Sequence, residues 1–190
     1  MRLIADSGST KTDWCVKDGS STIAKVKTQG INPFHMEEEM IASVLDEQLI
    51  PALKEALSAL DKNASMNIES GDNSASAEHL LGNINEIYYY GAGCTPALCP
   101  MMEQIIGKAF PKVKHIEVGS DLLGAAKALC GESEGIACIL GTGANSCLYD
   151  GKKIVSNVSP MGYILGDEGS GAVIGKTFIT ELYKGCHGDF

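Results

Sequence analysis

The chain has 190 residues, 44% of them hydrophobic, and a formal net charge of -9. That composition supports a packed core and makes disorder a poor default. An acidic chain with no basic cluster excludes nucleic acid and an anionic membrane surface as expected partners, because both demand Lys and Arg. Its 7 cysteines include no CxxC pair and are scattered through apolar segments, which reads as reduced thiols in a cytoplasmic protein. No apolar run approaches the roughly 18 residues of a membrane span. Arg2-Leu3-Ile4-Ala5, interrupted by Asp6, is too short for a signal-peptide core.

Leu3-Ile4-Ala5 begins a strand that ends in Asp6-Ser7-Gly8-Ser9-Thr10-Lys11-Thr12. Thr12 to Val16 alternates as a second strand, Asp18-Gly19 signals a hairpin turn, and Thr22 to Thr28 alternates again. These segments predict an antiparallel three-strand meander. Gly30-Ile31-Asn32-Pro33 breaks the pattern. Met40, Ile41, Val44, Leu45, Leu49, Leu53, Leu57 and Leu60 then repeat at helical spacing, with Glu37, Glu38 and Glu39 at the start. Pro51 falls inside this stretch and predicts a kink or split. Asn63 to Asn83 is polar and small, and reads as a surface excursion, partly disordered.

Glu86 to Tyr90 is a strand ending at Gly91-Ala92-Gly93. Met101 to Ala109 is a helix, His115 to Val118 a strand, and Leu122 to Leu129 a helix. The order β-β-β-α-β-α-β-α predicts an α/β fold with a mixed sheet whose later strands are parallel. Near Gly131 the pattern restarts. Ile136 to Leu140 runs into Gly141-Thr142-Gly143-Ala144-Asn145-Ser146, Ser146 to Tyr149 returns, Asp150-Gly151 turns, and Ile154 to Val158 follows. Gly175 to Lys184 then reads as a helix. This is a weak internal duplication. It places a first domain over 1–130 and the opening part of a second over 131–190. The second copy ends early, so the chain is expected to be a fragment that alone binds nucleotide weakly and turns over poorly.

Each glycine-rich loop follows a strand and is rich in Ser and Thr. Glycine brings backbone N–H groups close to an anion, and hydroxyls add donors. Two such loops suggest paired jaws around one polyphosphate. Duplicated domains opening on such hairpins resemble the actin/hexokinase/Hsp70 superfamily, with its ribonuclease H-like, actin-like ATPase domain. Ile4 to Thr12 resembles the superfamily's phosphate-1 element, and Ile139 to Ser146 its phosphate-2 element. Gly162-Tyr163-Ile164-Leu165-Gly166-Asp167-Glu168-Gly169-Ser170-Gly171 resembles the Gly-Asp-Glu-Gly-Ser element of N-acetylglucosamine kinases. Together they resemble the BadF/BadG/BcrA/BcrD-type ATPase and N-acetylglucosamine kinase-like family.

The resemblance implies ATP-dependent phosphoryl transfer to a sugar hydroxyl, with ATP and Mg²⁺ as cofactors. It implies that Asp6 organises the magnesium, which prefers oxygen ligands and keeps several waters. An Asp here can also simply satisfy turn N–H groups. Ser7, Gly8, Ser9, Thr10, Lys11 and Thr12 are implied to grip phosphate, as are Gly141, Thr142 and Gly143; Lys11 can equally be a solvated surface lysine. Asp121, after a strand and opening a helix, is implied to be the general base for the sugar hydroxyl, although a plain N-cap suits it too. Asn32, Asn145, Ser146, Gly166, Asp167 and Glu168 are implied sugar contacts, with Asn32 open to a bare turn role. Gly91-Ala92-Gly93-Cys94 reads as cleft wall.

The resemblance leaves room for a homodimer. Two other readings stand beside the kinase. One is an ATPase activator of a dehydratase or reductase, but those activators carry a Gly-Gly-Gln-Asp phosphate-2 loop where this chain has Gly-Thr-Gly-Ala-Asn. The other is a non-catalytic sugar or nucleotide sensor, which would need no base. His35, His79, His115 and His187 show no metal-ligand spacing.

Overall fold

The computed structural model describes residues 1–64, 73–158 and 160–185, with the side chains of 60–64 and 73–77 outside the description. Two compact units emerge, Met1–Asp121 and Leu122–Phe190.

In the first unit, strands β1 (Arg2–Ser7), β2 (Lys11–Asp18) and β3 (Ser21–Gln29) form the expected meander. Strands β4 (Glu86–Gly91) and β5 (His115–Ser120) add to it in parallel, giving the order β3-β2-β1-β4-β5. Alternation decides which face is buried. Leu3, Ala5 and Ser7 point inward from β1, and Ile87, Tyr89 and Gly91 from β4. Trp14 and Val16 complete this inner face.

Helix α1 (Glu38–Ser43), a π-helical turn (Val44–Leu49) and helix α2 (Ile50–Ala64) cover it. The long helix is split as expected, one turn ahead of Pro51. Proline has no N–H to return to the preceding turn, and the ladder widens there so that the Ile50 N–H reaches Leu45 O. Ile41, Leu45, Leu49, Leu53 and Leu57 are fully buried, whereas Met40, expected on the same stripe, is 54% exposed. Helix α4 (Cys99–Ala109) contributes Met102, Ile105 and Ile106.

The polar stretch is less irregular than expected. Asn73–Gly82 is helix α3, and residues 65–72 of that excursion lie outside the described residues. Its C-terminal Leu80 and Leu81 pack on the core, which ties down a segment otherwise too polar to hold itself.

In the second unit, helix α5 (Asp121–Cys130), which precedes the Gly131 restart, sends Leu122 and Ala126 into a small core with Ala137, Cys147 and Tyr149. Strands β6 (Glu134–Leu140), β7 (Ala144–Asp150) and β8 (Ile154–Val158) form an antiparallel sheet. The two meanders share a detail. A register irregularity falls at Val16/Lys17 before the Asp18-Gly19 turn and at Leu148/Tyr149 before Asp150-Gly151. Asp150 Oδ1 accepts the Lys152 and Lys153 N–H groups at 2.9 and 2.8 Å, which holds its carboxyl below the usual range. A short helix α6 (Gly162–Leu165), not anticipated from the sequence, precedes helix α7 (Gly171–Gly185).

Candidate active site

The carboxyl ends of β1, β4 and β5 lie in register, Ser7 opposite Gly91 and Gly91 opposite Ser120. Gly8, Ala92 and Asp121 therefore start the three connections side by side. At the usual strand spacing, Asp121 is about 10 Å from the β1 hairpin. Ligands of open α/β sheets gather at this edge.

The hairpin between β1 and β2 closes through Gly8 N–H to Lys11 O at 2.9 Å. Gly8, Ser9 and Thr10 are exposed at its tip, and Asp6 is exposed at its base. Lys11 does not reach out alone: its Nζ lies 2.7 Å from Asp13 Oδ2. That hydrogen bond raises the lysine and lowers the aspartate, with Asp6 adding weakly to the former. Ser7 and Thr12 differ from the residues between them. Both are 0% exposed, and their hydroxyls meet each other at 2.7 Å beneath the loop.

Asn32 comes to the same edge through Gly93. The Asn32 carboxamide lies where any Gly93 side chain would have to be, and Gly93 has φ +78. Glycine is required there on both counts. Asn32 Oδ1 also accepts the Phe34 N–H at 3.0 Å, a local turn bond that fixes the side chain. The Gly91-Ala92-Gly93 segment is thus the wall that holds Asn32, and Ala92 N–H bonds back to Ser7 O at 2.8 Å. Asp121 is the half-buried first residue of α5. Burial, then Cys99 and Asp121, push the Cys94 thiol up to about 12, so a neutral thiol and a carboxylate share this corner.

In the second unit, the Gly141–Gly143 turn closes through Gly141 N–H to Gly143 O at 2.9 Å. Gly141 and Thr142 are exposed. Helix α7 is stitched to this loop: Gly171 N–H donates to Gly141 O at 2.8 Å and Ala172 N–H to Thr142 O at 3.3 Å. Ser170, fully buried, caps the helix by accepting the Val173 N–H at 3.2 Å. Asp167 is the one non-glycine with positive φ among the described residues, at 61°, and its carboxylate stands against Gly143. A side chain held in that conformation beside a loop is a stored strain of the kind found at working sites. Gly166 precedes it, and Glu168 is exposed. Asn145 is spent on structure, its Oδ1 accepting from Ser146 N–H at 2.9 Å and from Asn157 Nδ2 at 3.1 Å.

Within the first unit, then, Asp6, the hairpin, Asn32 and Asp121 are brought to one edge. Within the second, Gly141 to Gly143, Gly166, Asp167 and Glu168 form one cluster, with Asn145 and Ser146 opening β7 beside it. Tyr89 was missed at the sequence level. Its signal was the period-2 alternation that puts it on the buried face with Ile87 and Gly91, where a phenol must find a partner.

The exposed hairpin tip and the exposed Asp6 carboxylate at its base suit magnesium, which is held by one or two carboxylates and substrate phosphate rather than by a protein cage. No group of three or more His, Cys, Asp or Glu that could hold a metal occurs among the described residues. None of the described helices is long and apolar enough to cross a membrane.

No family model and no curated protein matches the chain. Solved structures do. A provisionally assigned N-acetylglucosamine kinase from Porphyromonas gingivalis is 48% identical, with a TM-score of 0.79, over 100% of this chain and 58% of its own. A second protein of that provisional assignment, from Chromobacterium violaceum, is 17% identical, with a TM-score of 0.57, over 93% of this chain and 54% of its own. The chain thus spans little more than half the length of either. The fold is that of the actin-like ATPases, with which the meander and the added parallel strands agree. Within that class, the chain is a homologue of the Porphyromonas protein, and the likeness to N-acetylglucosamine kinases carried by the three motifs holds.

Proposed function

We propose that the protein is an ATP-dependent sugar kinase that phosphorylates a hydroxyl of N-acetylglucosamine or a related hexosamine. The observation that carries this reading is the shared carboxyl edge of β1, β4 and β5. It presents an anion-ready hairpin, an amide side chain wedged against Gly93, and a carboxylate two strands away. A kinase must bring together a phosphate grip, a sugar contact and a base. The homology to the Porphyromonas protein supports the same conclusion.

In this reading Gly8, Ser9 and Thr10 are the phosphate donors of the first unit, and Gly141, Thr142 and Gly143 form a phosphate loop of the second. Lys11, tied to Asp13, contributes positive field at the hairpin. Asp6 would hold Mg²⁺ through water, and the bound ion would neutralise charge on the phosphates. Asn32 in the first unit, and Asp167 and Glu168 in the second, are each proposed sugar contacts, because sugar hydroxyls both donate and accept. Gly166 shapes their approach, and Asn145 and Ser146 frame the loop. Asp121 takes the proton of the attacking hydroxyl as that oxygen bonds to the γ-phosphorus and ADP leaves. The BadF/BadG/BcrA/BcrD family, a cytoplasmic location and a homodimer belong to the same proposal. The Gly-Thr-Gly-Ala-Asn loop and the presence of Asp121 after β5 favour a kinase over an ATPase activator or a sensor.

The test is a hexosamine panel with ATP and Mg²⁺ on the full-length protein. Phosphorylation of at least one member is expected, and no phosphorylation across the panel would end the kinase reading.

A further inference from the structure

We propose that the Ser7 and Tyr89 hydroxyls clamp the Ile31–Asn32 peptide beneath the hairpin, and that Ser7 and Thr12 are positioning residues rather than phosphate ligands. The assignment of Asn32 as the part so positioned rests on the sugar-kinase reading; the clamp itself does not.

The geometry is closed on every side. Ser7 Oγ accepts the Ile31 N–H at 3.2 Å and bonds the Ile31 carbonyl at 3.0 Å, so one hydroxyl holds both sides of that residue. Tyr89 OH donates to the same carbonyl at 3.2 Å. Thr12 Oγ1 lies 2.7 Å from Ser7 Oγ and 3.2 Å from Gln29 O, and its single proton serves one of these two acceptors at a time. The network extends to β3, where Trp14 Nε1 donates to Thr28 Oγ1 at 3.0 Å and Thr28 Oγ1 to Gln29 O at 3.0 Å. Ser7, Thr12 and Tyr89 are all 0% exposed, so none can turn outward to an anion without abandoning these partners. Unpairing buried hydroxyls is costly, which makes the tether stiff.

Two glycines exist to let it form. A Cβ on Gly91 would stand 2.8 Å from Tyr89 Cε1, so the ring passes under Gly91 to reach Ile31. A Cβ on Gly30 would collide with the Gly8 and Ser9 backbone, and Gly30 N–H donates to Thr10 O at 3.0 Å. The segment before Asn32 is therefore pressed against the hairpin and bolted to β4. Desolvation raises the Tyr89 phenol well above its ordinary value, so it stays a donor at any neutral pH. The hairpin's own closing bond, Gly8 N–H to Lys11 O, does not involve Tyr89. Losing the phenol should then loosen Asn32 more than the phosphate grip.

The test uses Tyr89→Phe, which keeps the ring, and Ser7→Ala in the full-length protein. Both are expected to raise the sugar KM about five- to tenfold while the ATP KM stays within about twofold, a split that mere loss of stability would not produce. In Ser7→Ala the Ile31 amide, read by NMR hydrogen exchange, is expected to exchange at least about tenfold faster. An ATP KM that rises more than the sugar KM would overturn the proposal by returning the hydroxyls to phosphate binding. An unchanged Ile31 exchange rate in Ser7→Ala would also overturn it. That exchange measurement decides the clamp even if the wild-type protein phosphorylates no sugar.

Discussion

In the proposed kinase reading Asp121 is the general base. It is half-buried, opens α5, and sits where β5 ends beside β4. Exchanging its carboxylate for an amide keeps the shape but removes the proposed base. Asp121→Asn should lower kcat by roughly 10²- to 10⁴-fold with a folded protein and little change in ATP KM. Full turnover by this variant would remove Asp121 from the base role. Its neighbour Cys94 makes a second prediction. Its thiol is raised by burial to about 12 from 9.0, so the neutral form is favoured in the native state. The unfolded chain ionises first as pH rises, so this contribution to stability is complete below about pH 9 and is lost as pH rises through about 12. Tyr89, also raised by burial, acts in the same direction. Melting temperatures should therefore fall steadily on the alkaline side. Cys94 should resist alkylation near neutral pH, while the exposed Cys138 reacts.

Between residue and domain, the hairpins are the units that matter. Both follow one design: a strand, an open glycine loop, a return strand with a register irregularity, and an Asp-Gly turn. The first is locked from behind by Gly30. Gly30→Ala must push the Gly8–Ser9 backbone aside and should cost about 1–3 kcal/mol, read as a lower denaturant midpoint. Much of this level was legible from sequence, because alternation and Asp-Gly turns are local signals. Pro51 announced the split helix for the same reason, since a missing N–H acts on its own turn. Helix α3 was not legible. Asn73–Gly82 has few apolar residues, and its hold on the core comes from Leu80 and Leu81 meeting partners distant in sequence. The fate of Ser7 and Thr12 was hidden differently. Composition marks both as loop hydroxyls, and only strand parity, which puts Ser7 inward with Leu3 and Ala5, separates buried hydroxyls from exposed ones.

The two units differ in how well each is covered. The first buries a continuous core of strand and helix side chains. In the second, Ile136, Leu140, Leu148 and Val158 of the sheet are exposed, as are Ile174, Phe178 and Leu182 along one stripe of α7. The chain spans 58% of the Porphyromonas homologue's length. Exposed apolar surface on this scale marks interaction surface. These 190 residues alone should bind a hydrophobic dye such as ANS. Replacing Ile174, Phe178 and Leu182 by Ser should reduce the signal, and an unchanged signal would place the dye elsewhere. The motifs were readable at this level because each is short and contiguous, whereas the stitching of α7 to the Gly141 loop depends on backbone bonds that no residue type announces.

Phosphoryl transfer from ATP to a sugar hydroxyl is tested most directly by following label from γ-³²P-ATP with Mg²⁺ to N-acetylglucosamine and related hexosamines in the full-length protein, with Asp121→Asn run in parallel. Labelled sugar phosphate is expected from the wild-type protein, with near-complete loss in the variant. Hydrolysis of ATP with no label on any sugar would contradict it.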